Sequence, residues 1–324
     1  MAVRLDSSKL ITVYGGSGFV GRHVVRALAR TGCRMRIGVR RPDLAGHLQP
    51  MGSVGQIHAV QANLRDRDSV RRAALGADAL VNLVGILFAQ GRQTFASVHT
   101  EGAHHVAEVA AELGVRAMVH MSALGADPES DSVYARSKAA GEEAVLEAYP
   151  DAAILRPSVI FGPEDQFFNR FAAMARISPV LPLIGGGGTR FQPVFAGDVA
   201  GAAVAAIEGR ALSGRIYELG GPQVLTFKEV LRWILKETGR RRLLVPIPFW
   251  LARLQAAVLG LLPNPPLTLD QLRLLQRDNV VSEEARRERR TLEALGIEPT
   301  AIDVVVPFYM ARFRPKGQFS SIHV

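Results

Sequence analysis

A glycine-rich turn, Gly15-Gly16-Ser17-Gly18-Phe19-Val20-Gly21, follows the apolar run 10–14 and opens a stretch with helically spaced apolar residues at 21–30. Few short features restrict a fold as strongly. A strand that turns on glycines into a helix gathers bare backbone N–H groups at the positive end of the helix, where a phosphate is held. Gly16, Gly18 and Gly21 satisfy G-x-G-x-x-G, and Gly15, Gly18 and Gly21 satisfy G-x-x-G-x-x-G. Glycine is needed for the tight bend, for approach of the backbone to a pyrophosphate and for close helix–strand packing. The motif in this context predicts a dinucleotide-binding βαβ unit.

The pattern continues beyond the turn. Residues 34–39, 57–62, 79–84, 118–121 and 153–155 are strand-like runs, separated by helical spacing at 69–75, 94–113 and 132–148. Strands alternating with helices predict a doubly wound parallel sheet, a Rossmann-type α/β fold. After Pro157 the chain becomes irregular, and Gly185 to Gly188, which follow no strand and open no helix, read as a flexible connection. Helical segments return at 198–208 and 227–238. The second is marked by Thr226 and Glu229 at capping-box spacing and by Gly239 as terminator.

From residue 240 a smaller, mostly helical lobe is expected, with an apolar helix near 249–262 and a second near 267–277. The division predicted is a dinucleotide domain over 1–162, with 189–208 returning to it, and a substrate or partner lobe over 163–188 and 209–324.

The 39 basic against 30 acidic residues give a net charge of +9, which calls for an acidic partner: phosphate groups, an anionic membrane surface or a protein. Nucleic acid is not expected, since the basic residues are dispersed and no nucleic-acid motif is present. Cys33 is the one cysteine, so an internal disulfide and a Cys-rich metal site are excluded; a core position in a reducing cytoplasm is the expectation. His99, His104 and His105 lack a spaced ligand set, and no metal is expected. The run 10–14 is too short for a signal-peptide core. Pro246, Pro248 and Arg253 argue against a spanning helix in 243–262.

The second strand bears on the cofactor. An acidic residue about 20 positions beyond the glycine turn would bond the ribose 2′-hydroxyl of NAD, whereas here the strand ends Val39-Arg40-Arg41. A guanidinium pairs a 2′-phosphate, so Arg40 and Arg41 favour NADP(H) over NAD(H), with solvated arginines as the alternative. Further on, Tyr134 and Lys138 lie four residues apart on a predicted helix and share a face. An ammonium there can stabilise a phenolate and bond a nicotinamide ribose.

The glycine turn, Tyr134-Ala135-Arg136-Ser137-Lys138 and Leu155-Arg156-Pro157-Ser158-Val159-Ile160-Phe161-Gly162-Pro163 resemble the extended short-chain dehydrogenase/reductase family of sugar-nucleotide epimerases and dehydratases. Within it, the stretches 161–169, 192–199 and 295–300 are similar to the nucleotide-binding accessory subunits of respiratory complex I and their bacterial relatives. The resemblance implies structurally held NADPH, complex I subunits as partners, and a cytoplasmic position at the inner membrane (the matrix side if mitochondrial).

Carried over position by position, Ser17, Phe19 and Val20 would line the pyrophosphate turn. Asn63, where the family usually has Asp, and Leu64 would flank the adenine, Val84 and Gly85 would meet the ribose, and Pro157 and Ile160 the nicotinamide. Ser122 would complete a catalytic set with Tyr134 and Lys138. However, eleven residues separate Ser122 from Tyr134, fewer than active extended members generally have. Three readings follow: an NADP(H)-holding accessory or assembly subunit of a quinone oxidoreductase; an active NAD(P)-dependent epimerase, dehydratase or reductase, with a link to quinone metabolism; and a redox-sensing regulator. The lobe's apolar helix, with Arg286, Arg287, Arg289 and Arg290 and the group 312–316, is expected to carry a partner interface, against the plainer reading of a core helix and a solvated face.

Overall fold

Strand β1 (Leu10–Tyr14) is buried from its second residue to its last, as a parallel strand covered on both faces must be. In the computed structural model, which describes residues 2–260, 265, 267–315 and 317, it pairs with β2 (Arg34–Val39) on one side and β4 (Ala79–Asn82) on the other. With β3 (Ile57–Gln61), β5 (Ala117–Met121), β6 (Ala153–Pro157) and β11 (Ile216–Leu219) these form a seven-stranded sheet in the order β11-β6-β5-β4-β1-β2-β3. Every pairing in it is parallel. The predicted doubly wound sheet is present.

The connecting helices are α1 (Phe19–Ala29), α2 (Arg67–Ala74), α3 (Glu101–Glu112), α4 (Val133–Ala148) and α6 (Ala196–Ile207). Helix α1 packs on α6, and α3 packs between α2 and α4. Tyr14, Leu80, Val106, Met118 and Ile154 belong to one core cluster of this layer. The predicted helix 94–113 is interrupted at its start: residues Ala96–Thr100 form a π-helical turn before α3 begins. Cys33 is buried there as expected, its thiol pushed up by burial.

One compact unit contains residues 1–157, 196–219 and 281–298; the other contains 158–195, 220–280 and the chain from 299. The sequence division differs on three counts. It ended the first domain at 162, it returned 189–195 to that domain, and it gave the lobe all of 209–324. Strand β11 lies beside β6, with Tyr217 and Leu219 buried. Residues 281–298 cover that strand: Glu218 N–H donates to the Arg290 carbonyl at 2.9 Å, and Arg290 Nη1 donates to the Ile216 carbonyl at 2.8 Å. The arginine cluster around the short helix α10 (Glu283–Arg287) therefore belongs to the sheet's unit and not to the lobe.

The second unit is built on three two-stranded pairs. Strand β7 (Ile160–Phe161) pairs with β10 (Val194–Phe195), β8 (Val180–Ile184) with β13 (Leu243–Ile247), and β9 (Arg190–Phe191) with β12 (Leu225–Thr226). Its helices are α5 (Phe168–Ile177), α7 (Phe227–Glu237), α8 (Phe249–Leu259), α9 (Leu269–Leu274) and α11 (Ile302–Met310). Phe161, Phe168, Phe227, Ile234 and Val306 fill the core. Both halves of the predicted capping box open α7: Glu229 N–H donates to Thr226 Oγ1 at 3.2 Å, and Thr226 N–H to Glu229 Oε2 at 2.7 Å.

Two expectations for this unit change. Gly185 has φ +62°, and a Cβ there would come within 2.3 Å of the Phe249 ring, so the glycine run is a packed turn and not a free connection. Helix α8 buries only Ala252 and Ala256 completely, so it is not a core helix. Residues 261–262 of the predicted segment, and Lys316, lie outside the described residues. Among the described residues no helix is long and apolar enough to cross a membrane.

Candidate functional site

Strand order reverses direction between β1 and β4, and in open parallel sheets ligands bind at the carboxyl ends of the strands at such a point. The glycine turn stands there. Gly15, at φ +79°, approaches Val84 so closely that a Cβ would lie 3.1 Å from its Cγ2. A Cβ on Gly21 would lie 2.3 Å from the Gly15 carbonyl oxygen, which lets α1 start directly against the turn. Gly18 N–H donates to that same carbonyl at 3.0 Å.

Gly18 itself is different. It is exposed, its backbone is extended (φ −74°, ψ 179°), and the one atom its Cβ would approach is Gly15 O at 3.3 Å. Its backbone therefore does not require glycine, and the empty space it leaves is above the helix end. No side chain caps α1 and no acidic residue occupies its first turn, so the N–H groups there are left for an anion.

At the end of β2, Arg40 and Arg41 are both exposed. Arg41 Nη2 is taken by Asp43 Oδ2 at 2.9 Å, while Arg40 makes no ion pair among the described residues. Beyond β3, Asn63 Oδ1 accepts from Arg65 N–H at 3.2 Å. Leu64 turns into the core, where a Cβ on Gly102 would touch it, so of that pair only Asn63 keeps a partly exposed side chain. Val84 is half-buried and Gly85 exposed.

Lys138, Ser122 and Tyr134 come from the opposite side of β4. Lys138 Nζ donates to the Met121 carbonyl at 3.1 Å, and a Cβ on Gly85 would lie 3.4 Å from that nitrogen. Burial lowers the lysine's pKa to about 8, against the pull of Glu142. Ser122, just after β5, is buried, and its Oγ has no hydrogen-bond partner among the described residues. A buried orphan hydroxyl costs stability unless something completes it, and together with the uncapped helix end it fits a bound dinucleotide or its substrate. Burial pushes the Tyr134 phenol up to about 12. Pro157 ends β6, its carbonyl accepting from Leu124 N–H at 2.9 Å; Ile160, in β7, is half-buried in the second unit.

Sequence reasoning takes His99 for a solvated or core histidine in place of a metal ligand and misses its place here. Its ring meets Tyr134 edge to face at 5.5 Å, and Phe95 completes a cluster of three rings, 5.5 Å from His99 and 6.0 Å from Tyr134. Ile86 N–H donates to Nε2 at 3.0 Å, which leaves the proton on Nδ1 to reach Ser137 Oγ at 2.9 Å. Ser137 in turn donates to the Tyr134 carbonyl at 2.7 Å. Burial and the Lys138 charge hold His99 near pKa 3, so it is neutral. His120, buried under the same ammonium, is held near 3 as well. Lys138 is thus a cation set among the neutral rings of His99, His120 and Tyr134. Ser137, a polar residue inside the Tyr-x-x-x-Lys turn, was the one available hint of such a partner.

The sequence profile of the NAD dependent epimerase/dehydratase family matches residues 11–220. The chain is 37% identical over 298 residues to NADH dehydrogenase (ubiquinone) 1 alpha subcomplex subunit 9, mitochondrial, of Arabidopsis thaliana, covering 86% of itself and 72% of that protein. It is 32% identical over 319 residues to the protein of the same name from Mus musculus, covering 97% and 83%. Among solved structures, a dTDP-glucose 4,6-dehydratase from Streptomyces venezuelae with NAD and TYD bound superposes with a TM-score of 0.71 at 21% identity, over 94% of this chain and 96% of that one; a likeness at this identity shows the fold. With the profile spanning the glycine turn, the Tyr134–Lys138 helix and β11, the chain belongs to the NAD dependent epimerase/dehydratase family.

Proposed function

We propose that the chain is an NADP(H)-binding accessory or assembly subunit of a membrane-associated NADH:quinone oxidoreductase (complex I), with the dinucleotide held structurally. The observation that carries this reading is the extent of the likeness to the mitochondrial subunits, which runs through 86% and 97% of the chain and so includes the second unit. The phenol supports it. A general acid works best with a pKa near the operating pH, and Tyr134 at about 12 is far above it. Arg40, exposed at the end of β2 and without an ion pair among the described residues, supports NADP(H) over NAD(H). In this role the glycine turn anchors the pyrophosphate, Lys138 holds the nicotinamide ribose, and complex I subunits are the partners of a peripheral protein at the inner membrane.

A native pull-down from detergent-solubilised membranes, with identification of what co-purifies and of the nucleotide released on denaturation, tests both halves. Oxidoreductase subunits and NADP(H) are expected together; a chain that purifies alone and without nucleotide overturns the reading.

One observation favours the second reading, an active epimerase, dehydratase or reductase. Ser122 Oγ is buried just after β5 and has no hydrogen-bond partner among the described residues, and a substrate carbonyl or hydroxyl would complete it. A bound dinucleotide supplies hydride chemistry; Lys138 would orient its ribose and Tyr134 would hold the proton. Substrate-dependent oxidation of NADPH that is lost in Ser122→Ala would place this reading first.

A further inference from the structure

Residues 166–197 and 238–269 contain no aspartate or glutamate, yet carry seven arginines between them. These stretches supply strands β8 and β13, which pair in parallel with Leu243 opposite Val180. Both of those side chains are exposed, and so is Ile177 at the end of α5. Cations gather at the same edge: Arg240 is desolvated and lies near Arg242 and Arg176, all of which lower its pKa. Arg190 is paired with Asp278 at 2.7 Å, and Arg240 and Arg242 bond the Phe313 and Ala175 carbonyls through Nε, which leaves the exposed Arg241 and Arg253 turned to solvent beside the exposed aliphatic side chains.

Strand β13 leads through Pro248 into α8. Trp250, Leu254 and Val258 follow at intervals of four and therefore line one face of the helix; they are 65%, 59% and 69% exposed. The opposite face, Ala252 and Ala256, packs on Leu272. Helix α8 is thus apolar on both faces, and its outward face is rimmed by the exposed Arg253. Large exposed apolar patches mark surfaces that are covered in use. Tryptophan favours the membrane–water boundary, arginine favours anionic headgroups, and carboxylates are repelled by them. The absence of any carboxylate over both stretches selects a negatively charged cover.

We infer that α8 lies in the plane of an anionic lipid bilayer, with Trp250, Leu254 and Val258 at the acyl boundary and the exposed Arg241 and Arg253 among the phosphates. The inference deepens the peripheral position proposed above. Its observations come from the second unit alone.

The test uses the full chain carrying Trp233→Phe, which leaves Trp250 as the single tryptophan. It is mixed with vesicles of phosphatidylcholine alone or of phosphatidylcholine with phosphatidylglycerol. Co-sedimentation with the mixed vesicles only, a blue shift of Trp250 emission and release by salt are expected. Arg241→Gln and Arg253→Gln should each weaken binding about fivefold. Leu254→Ser with Val258→Ser, both on the surface and so without effect on thermal unfolding, should abolish it. Equal binding to both vesicle types, or none to either, overturns the inference. So does a lipid-free dimer whose formation shields Trp250, because the face then belongs to a second copy. Co-purification of oxidoreductase subunits is scored separately, so loss of vesicle binding and loss of the subunit reading are distinguishable.

Discussion

Lys138 Nζ is fastened at 3.1 Å to the carbonyl of Met121, the last residue of β5 and the neighbour of Ser122. This bond fixes the ammonium in a buried place that holds its pKa near 8 instead of 10.5. Because the folded value lies below the unfolded one, the unfolded chain binds more protons between those two pH values. Burial therefore costs stability at neutral pH, by about 3 kcal/mol at most, and the cost disappears as the pH rises through that window. Lys138→Met should raise the stability of the nucleotide-free protein at neutral pH by about 1–3 kcal/mol while weakening dinucleotide binding at least about tenfold. Urea unfolding across the window, with calorimetric titration, measures both; a variant less stable than the parent at neutral pH contradicts the account.

Gly18 and Gly21 should separate binding from folding. Gly18→Val places its side chain above the helix end in a backbone conformation that any residue adopts, so stability should change by no more than about 1 kcal/mol while dinucleotide binding disappears. Gly21→Ala drives a Cβ toward the Gly15 carbonyl at 2.3 Å and should cost about 1–3 kcal/mol of stability. Near-native affinity in Gly18→Val would mean that the turn does not hold the phosphates.

Arg40 and Arg41 are not equivalent. Arg40→Ala should cost about 1.5–3 kcal/mol of NADPH affinity with little effect on NADH. Arg41→Ala should cost less, since its guanidinium already serves Asp43 at 2.9 Å. Titration of each variant with both nucleotides decides this, and equal losses for the two nucleotides would remove the 2′-phosphate assignment.

The arginine cluster after residue 281 should behave as a structural element. Arg290 is largely buried and bonds the Ile216 carbonyl, Glu284 and Glu288 at 2.8, 3.2 and 2.7 Å; Arg290→Ala should lose about 1.5–3 kcal/mol of stability. Arg287, exposed, should tolerate alanine within about 0.5 kcal/mol. Thermal unfolding of the two variants shows the contrast, and similar melting temperatures would refute it.

The central sheet was legible because buried parallel strands are written as mostly apolar runs, as in 10–14 and 118–121, and because Gly15 to Gly21 have few other uses. Strand β11 was not. It is four residues long and carries a buried glutamate, Glu218, whose carboxylate accepts from Ser282 N–H at 2.7 Å, 64 positions away, and faces the charge of Arg156. The inward turn of Leu64 and the place of His99 were hidden for a similar reason. A Cβ on Gly141 would lie 2.2 Å from the His99 carbonyl, so the π-turn sits where it does because a distant glycine leaves room. Periodicity reports which face of an element is buried, and says nothing of what lies across from it.

The cover on β11 also sets a timetable for biosynthesis. This strand is an outer edge of the sheet, and the backbone that pairs with Glu218 comes from Arg290. A ribosome has therefore delivered the chain through Arg290 before that edge is shielded, although the glycine turn and the Tyr134–Lys138 helix emerged long before. Until then the nascent chain offers unpaired N–H and C=O groups to any neighbouring strand. Release of a polypeptide ending before Val281 should accordingly yield insoluble material, even though every residue assigned to nucleotide binding has been made.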